Sequence, residues 1–373
     1  MWEPLSAQNL VAAMAGGNCN GVSVGFLHES LPLSNIQAKV YGLLDISEEW
    51  QPEYKVGYQE AFRDIVLKPF REDEEINQEV NQYLVAYQQS RLEFSSFDHY
   101  IRMIILGYAR TPCETHALAL LYSYTYLPMH LDGNKKVIER EYQTFFKPYI
   151  YEKPSNVLMI DVGCGPMTAC MALADFQQSL PAKKRLELDY LGCDIHSFMT
   201  DIALNFNRKK NQNDLFGDHF RGCYPDIKNP HWIEQIDCPV KDGGTLVFYF
   251  SYFWEQGGVT EEVGKWVDCV KRISLQARAD DTFIVYLNRD LGDSNSAYTE
   301  FKQRIRVRPD TLEVISSEKC NHKYQSWSGL EEWLTQGIYP KARPKKRTDL
   351  HYEILRVDWK HYEDAATDTN TPL

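Results

Sequence analysis

Two acids and two glycines set the chemistry open to this chain. In the stretch NVLMIDVGCGPMTACMALADF, Asn156 to Phe176, an apolar run reaches Asp161, with Gly163 and Gly165 just after it and a helix-forming segment beyond. A second acid, Asp194, ends the next apolar run, LDYLGCD. Glycines at a strand end let the backbone turn sharply and approach a ligand with no Cβ in the way. The helix that follows offers its first amides to an anion or a carboxylate. An acid at the end of a second strand can accept both hydroxyls of a ribose. The combination points to a nucleotide-like ligand. The alternative is an ordinary strand-to-helix turn with Asp194 facing solvent.

Two cofactor classes use such a turn. A dinucleotide site wants G-x-G-x-x-G, and here the third glycine position is Thr168, so the nicotinamide fingerprint is incomplete. The D-x-G-x-G pattern resembles motif I of the class I methyltransferases, which bind S-adenosylmethionine (SAM). The resemblance implies that Asp161, Gly163, Cys164, Gly165 and Met167 hold the amino-acid end of SAM. It implies that Asp194, with Ile195 beside it, takes the ribose. Near the third strand, where family members contact adenine, Asp218 and Tyr224 are the candidates, and Ser251 and Tyr252 would line the methyl side at the end of the fourth strand. One departure is Met167, where many members carry a further glycine. Another is the missing N-P-P-Y or D-P-P-Y tetrapeptide at 251–254, which weakens the case for methylation of an adenine amine or a glutamine amide.

Methyl transfer from SAM is an in-line displacement on an activated reagent, so the protein mainly supplies approach geometry and removes water. A general base helps when the acceptor is a hydroxyl or a protonated nitrogen. Tyr252 and His196 are taken as the catalytic candidates, with Glu255 and Asp290 also near the expected rim. Phe253 and Trp254 read as core rather than lid. The segment YSYTYLPMH places Tyr122, Tyr124, Tyr126 and His130 close together, either as core, the better reading, or as a cover over the acceptor. YLPMHLD, a helix and then VLMIDVGCGP also loosely resembles a ribosome-associated methyltransferase-like family, which leaves RNA as an alternative acceptor.

The elements that must hold these residues follow from periodicity. DEEINQEVNQYLVAYQQSR puts Ile76, Val80, Tyr83, Leu84 and Tyr87 on one helical face. Glu72 to Glu75 open that helix at its positive dipole end. FDHYIRMIILGYAR and ETHALALLYSYTYL predict two more helices, the second nearly apolar all round. LDGN at 131–134 predicts a turn. KKVIEREYQTFFKPYI predicts a further helix, with Pro148 and Pro154 bracketing its exit. The segment 21–34 reads as a short hairpin or an irregular cover.

From there strands and helices alternate: NVLMIDV, ELDYLGCDI, a short strand near HFRGCY, GTLVFYFSYF and DTFIVYLNRD, with late strands near LEVISSE and HYEILRVDW. A helix over 260–278, capped by Thr260, carries the stripe Val263, Trp266, Val267, Val270, Ile273 and Ala277. Alternation of this kind predicts an α/β fold, a doubly wound, mostly parallel sheet with helices on both faces. The methyltransferase resemblance implies seven strands. The expected domains are a mainly helical 1–134, a Rossmann-like 135–361, and a disordered tail over 362–373.

Composition narrows the partners. A net charge of -12 argues against a general nucleic-acid coat, so a small-molecule or protein acceptor is favoured over nucleic acid. The basic run KARPKKR at 341–347 is read as an exposed loop, serving solubility or contacting phosphate. Nine cysteines without C-x-x-C, and no Cys/His cluster of ligand spacing, predict a reduced, cytoplasmic protein with no metal. The N-terminus lacks a basic n-region, which predicts no signal peptide, and no apolar run is long enough for a membrane span. A non-catalytic SAM-binding or assembly protein stays open as a second class.

Overall fold

Apolar spacing and caps build the helices first. The computed structural model describes residues 60–108, 115–152, 156–179, 188–208, 220–223, 244–254, 262–277, 279–290, 295–306 and 311–359. The segment 21–34, Asp218, Tyr224, Glu255, Thr260 and the tail over 362–373 lie outside these residues. Helix α1, Glu74–Gln89, buries Ile76, Val80, Leu84 and Tyr87, as its spacing requires. Asp73 caps it, accepting from the Ile76 amide at 3.1 Å. Helix α2 is Phe97–Tyr108 and helix α3 is His116–Arg140, capped by Thr115, whose hydroxyl accepts from the Leu118 amide at 3.2 Å.

The turn expected at LDGN is absent. α3 runs unbroken through Leu131, Asp132, Gly133 and Asn134, and Pro128 lies inside it. A proline costs a helix interior about 3 kcal/mol and a glycine about 1 kcal/mol. Here burial on nearly every side outweighs both, because most of the helix from Ala117 to Ile138 is buried. After Glu141 the chain winds into a π-helical segment, Tyr142–Tyr151, so the expected single helix is split and Pro148 lies within its second part. The described residues fall in one compact unit, and residue 134, where a junction was expected, lies inside α3.

A π-helical turn, Arg63–Leu67, and one helical turn, Pro69–Glu72, precede α1, and after α3 come β1 Val157–Val162, α4 Thr168–Ser179, β2 Asp189–Cys193, α5 Ser197–Arg208, β3 Phe220–Cys223, β4 Thr245–Ser251, α6 Val263–Ala277, β5 Asp281–Arg289, α7 Ser296–Ile305, β6 Leu312–Ser328, α8 Leu330–Gln336 and β7 Lys341–Val357. The described strands form one sheet in the order β3-β2-β1-β4-β5-β7-β6. β1 to β5 pair in parallel, while β7 is antiparallel to both β5 and β6. The α/β class and the mostly parallel sheet are thus as the alternation implied. The run 341–347 is not a loop: it forms the start of β7, paired with β6.

β1 and β4 are buried along their whole length, which is why their sequences are continuous apolar runs rather than alternating ones. The α6 stripe packs with Phe250, Phe253, Trp254, Tyr298 and Phe301 into one cluster. Phe253 and Trp254 are 4% and 2% exposed, so they are core and not lid. No described helix is long and apolar enough to cross a membrane. Among the described residues no group of three His, Cys, Asp or Glu is placed to hold a metal ion.

The joint between α3 and the sheet is polar. Asn134, fully buried, donates through Nδ2 to the His130 carbonyl at 2.8 Å and to Ser251 Oγ at 3.0 Å, with Thr168 Oγ1 at 3.5 Å. One side chain therefore ties α3 to the end of β4 and the start of α4. Leaving buried polar partners unsatisfied costs more than the bond itself contributes. Asn134→Leu should lower unfolding stability by about 2 kcal/mol, read as a reduced urea midpoint at unchanged slope.

Candidate functional site

The sheet reverses its winding between β1 and β4: β2 and β3 lie to one side, β5 and the antiparallel pair to the other. In open parallel sheets the ligand crevice lies beyond the carboxyl ends of the strands at this point. The β1 turn enters the crevice under tight restraint. The Gly163 and Cys164 amides both donate to the Cys193 carbonyl, at 2.8 and 3.0 Å, and the Gly165 amide donates to Asp194 Oδ2 at 2.9 Å. The Met167 amide then donates to the Cys164 carbonyl at 2.9 Å, and α4 begins at Thr168.

Three alternate residues of this turn are left-handed: Gly163 at φ 69°, Gly165 at φ 50° and Met167 at φ 70°. The two glycines serve different ends. A Cβ on Gly163 would lie 2.7 Å from the Phe253 ring, so this glycine admits the core. A Cβ on Gly165 would meet nothing within 4 Å, so this one leaves open space beside the backbone. Met167 holds the conformation a glycine takes without strain, which gives the third glycine of the methyltransferase motif its physical reason. Its side chain is fully buried, and that packing holds the strained backbone.

Asp161 is 1% exposed. Its Oδ2 accepts from the Tyr190 hydroxyl at 2.5 Å, while Oδ1 has no hydrogen-bond partner among the described residues. Burial pushes its pKa up to about 7; the Tyr190 bond holds it back, and the nearby Asp194 charge adds to the rise. Tyr249, facing Asp161 in the β1–β4 register, has a buried hydroxyl that is also unpartnered among the described residues. Asp194 is buried and accepts one amide at each oxygen, Gly165 at Oδ2 and His196 at Oδ1, both at 2.9 Å. Burial raises its pKa, and the His196 ring and the two amides oppose that. His196 is shifted down, first by burial, with Asp194 opposing.

The other wall is aromatic. Tyr252, just past β4, is left-handed at φ 58°, and its amide donates to the Leu287 carbonyl at 2.8 Å. Its ring stacks on His130 of α3 at 3.9 Å and 11°. Its hydroxyl occupies the space where a Cβ of Gly133 would stand, so α3 needs a glycine there. Burial, then Arg289, pulls the His130 pKa down to about 3, so the imidazole is neutral at physiological pH and a weak base. The ladder continues along α3 through Tyr126, 5.8 Å from His130, to Tyr122, 5.1 Å further, both half-buried. Tyr124 points elsewhere: it is core, and its hydroxyl donates to Asp98 at 2.7 Å.

The structure thus gathers Asp161, Gly163, Cys164, Gly165, Met167 and Asp194 around one turn, with the exposed Ile195 and with His196 directly after Asp194. Ser251 and Tyr252 stand across the winding reversal at the β4 end. Tyr252 and His196, the two catalytic candidates, follow strands on opposite sides of β1. Asp290 pairs with Lys319 at 2.9 Å. Sequence reasoning missed Asn134, Tyr190 and Tyr249. A lone asparagine inside the apolar α3 was the available signal for the first, disguised by its turn-like neighbours.

No family model matches the chain, and no curated protein matches it. Solved structures that match include a protein assigned as a class I SAM-dependent methyltransferase from Listeria monocytogenes, 11% identical, covering 80% of this chain and 79% of that one at a TM-score of 0.36. Another is an O-methyltransferase from Bacillus cereus in complex with SAH, 11% identical, covering 65% of this chain and 87% of that one at 0.33. A third is assigned as an RNA methyltransferase from Pyrococcus horikoshii, 8% identical, covering 60% and 82% at 0.33.

Two outcomes follow from the geometry. Gly163→Ala, which meets both the Phe253 ring and a left-handed backbone, should cost about 3 kcal/mol, whereas Gly165→Ala should cost only about 1 kcal/mol. Urea unfolding of both variants reads the difference. Asp161 behaves oppositely to a paired carboxylate. Its folded pKa is raised, so its stabilising contribution is complete below pH 4 and lost as pH climbs through 7. Asp161→Asn should therefore gain stability relative to the parent between pH 5 and pH 8, by an amount on the order of 2 kcal/mol.

Proposed function

We propose that the protein transfers a methyl group from SAM to an acceptor held at the end of β4. The observation that supports this most is the β1 turn, with its buried acid, its open glycine and its tether to a second acid. The residues fit the cofactor's chemistry. The unpartnered Oδ1 of Asp161 suits a cationic ammonium, whose charge would favour ionisation of a carboxyl otherwise poised near neutrality. Each Asp194 oxygen takes one amide and retains a lone pair for a ribose hydroxyl. Gly165 gives the backbone room to approach. A dinucleotide is disfavoured, because Thr168 stands where its third glycine would be.

Bound SAM supplies an already activated methyl group. What remains for this chain is to exclude water and to aim the acceptor. The left-handed Tyr252, fixed by the His130 stack and the Leu287 carbonyl, is the positioning group at the acceptor end. His196 belongs to the cofactor side, next to Asp194. His130, neutral and buried, acts by holding Tyr252 rather than by taking a proton.

Calorimetry should show SAM and S-adenosylhomocysteine binding and NAD not binding. Asp161→Ala and Asp194→Ala should each weaken SAM by at least about tenfold, roughly 1.4 kcal/mol. Parent-like affinity in both variants would refute the site. Transfer of radiolabelled methyl to an RNA, protein or small-molecule fraction of a cell extract separates an enzyme from a SAM-binding assembly protein.

A further inference from the structure

Tyr190 reaches Asp161 across a glycine. In the sheet register Asp161 is level with Gly192 of β2 and with Tyr249 of β4. Tyr190 lies two residues before Gly192, and alternate residues of a strand share a face. A Cβ on Gly192 would stand 3.2 Å from Tyr190 Cε1 and 3.0 Å from Cys164 Sγ, so the missing side chain is what lets the Tyr190 ring lie over its own strand. The ring's hydroxyl then donates to Asp161 Oδ2 at 2.5 Å. Oδ1 is left without a hydrogen-bond partner among the described residues.

The surroundings of Asp161 disfavour its charge. It is 1% exposed, and the titratable groups around it are themselves acids: Tyr190 from β2, Tyr249 from β4, Cys170 from α4 and Asp194 just past β2. α3 meets this end of the sheet with Gly133 and Asn134, which carry no charge. His196, the base after β2, acts on Asp194. The Tyr190 hydroxyl favours the ionised form of Asp161, but it serves one oxygen only. Below about pH 7 the group is therefore a carboxylic acid, with its proton on Oδ1 because Oδ2 already accepts from Tyr190. A ligand ammonium reverses this balance. A cation against Oδ1 finds a lone pair to donate to only when that proton has left.

We propose that Tyr190 is a positioning residue of the cofactor site, acting through Asp161: by holding Oδ2 it leaves Oδ1 to the ligand's ammonium, and capture of that ammonium expels the Oδ1 proton to solvent. This rests on the SAM reading and adds a proton to its binding equilibrium. One O–H bond breaks, the proton passes to water, and the carboxylate so formed faces an ammonium that keeps all its protons. The sign of the linkage follows. Affinity for a ligand that needs the carboxylate rises as pH climbs to about 7 and is level above it. Tyr249, whose hydroxyl makes no bond to Asp161, has no part in this.

Calorimetry of the full chain with S-adenosylhomocysteine, repeated at each pH in buffers of different ionisation enthalpy, counts the protons released. The parent should release about one proton per ligand near pH 6 and almost none near pH 8, with affinity rising about tenfold per pH unit below 7. Asp161→Asn should bind more weakly and release none. 5′-Methylthioadenosine has the adenosine without the ammonium and should bind with no release; release with this ligand would trace to His196 and overturn the proposal. Tyr190→Phe removes a bond to the charged form, so the pH at which affinity levels off should rise by about one unit. Gly192→Ala, which crowds the Tyr190 ring but keeps its hydroxyl, should shift it the same way, and Tyr249→Phe should leave it in place. Binding of 5′-methylthioadenosine shows that each variant is folded. No release by the parent, release that persists in Asp161→Asn, or an unmoved profile in Tyr190→Phe and Gly192→Ala overturns the proposal and leaves SAM binding standing. Failure of the parent to bind S-adenosylhomocysteine removes the SAM reading, and the proposal with it.

Discussion

One carbonyl organises the site. The Cys193 oxygen, at the end of β2, receives both the Gly163 and the Cys164 amides from the end of β1. That shared acceptor forces the chain into a left-handed step at once, and Asp194 fixes the next amide. The ends of two neighbouring strands are therefore one rigid object. Asp161, Gly165 and Asp194 keep their mutual positions because none can move without breaking bonds in a region buried from water, where such bonds are hard to replace. The fully buried Met167 is part of this: its packing sustains a backbone conformation that the turn demands and that methionine does not prefer.

The second support is α3, which comes from outside the alternating pattern yet reaches the reaction face. Its Gly133 makes room for the Tyr252 hydroxyl, its His130 stacks on the Tyr252 ring, and its Asn134 reaches Ser251. Three residues within one turn and a half of helix thus decide how the end of β4 is presented. The helix is continuous because the site needs those three at fixed spacing, and its burial supplies the stability that Pro128 and Gly133 remove.

What the sequence could tell followed from what is local. β1, β4 and the α6 stripe were legible because burial writes itself into continuous or periodic apolar runs. The turn was legible because glycines at a strand end have few other uses. The LDGN segment was misread for the same reason: Gly and Asn signal a turn only when nothing larger opposes them, and here long-range packing did. The run 341–347 looked like a loop because charge and Pro344 usually mark one, yet β6 offered a partner strand and a register shift near Tyr324 absorbs the irregularity. Tyr190 and Tyr249 met Asp161 only through sheet register, which one strand read alone does not encode.

The edge strand β6 has a further consequence for how the molecule behaves in company. β6 is seventeen residues long and lies at the end of the strand order, with no neighbour beyond it among the described strands. An open strand of that length is a template on which other chains can add. Its exposed positions Glu313, Lys319 and Lys323 interrupt that template with charge of both signs. These charges insulate the edge against self-association. Neutralising them would leave the template open, and the length of β6 is tolerable only while they remain.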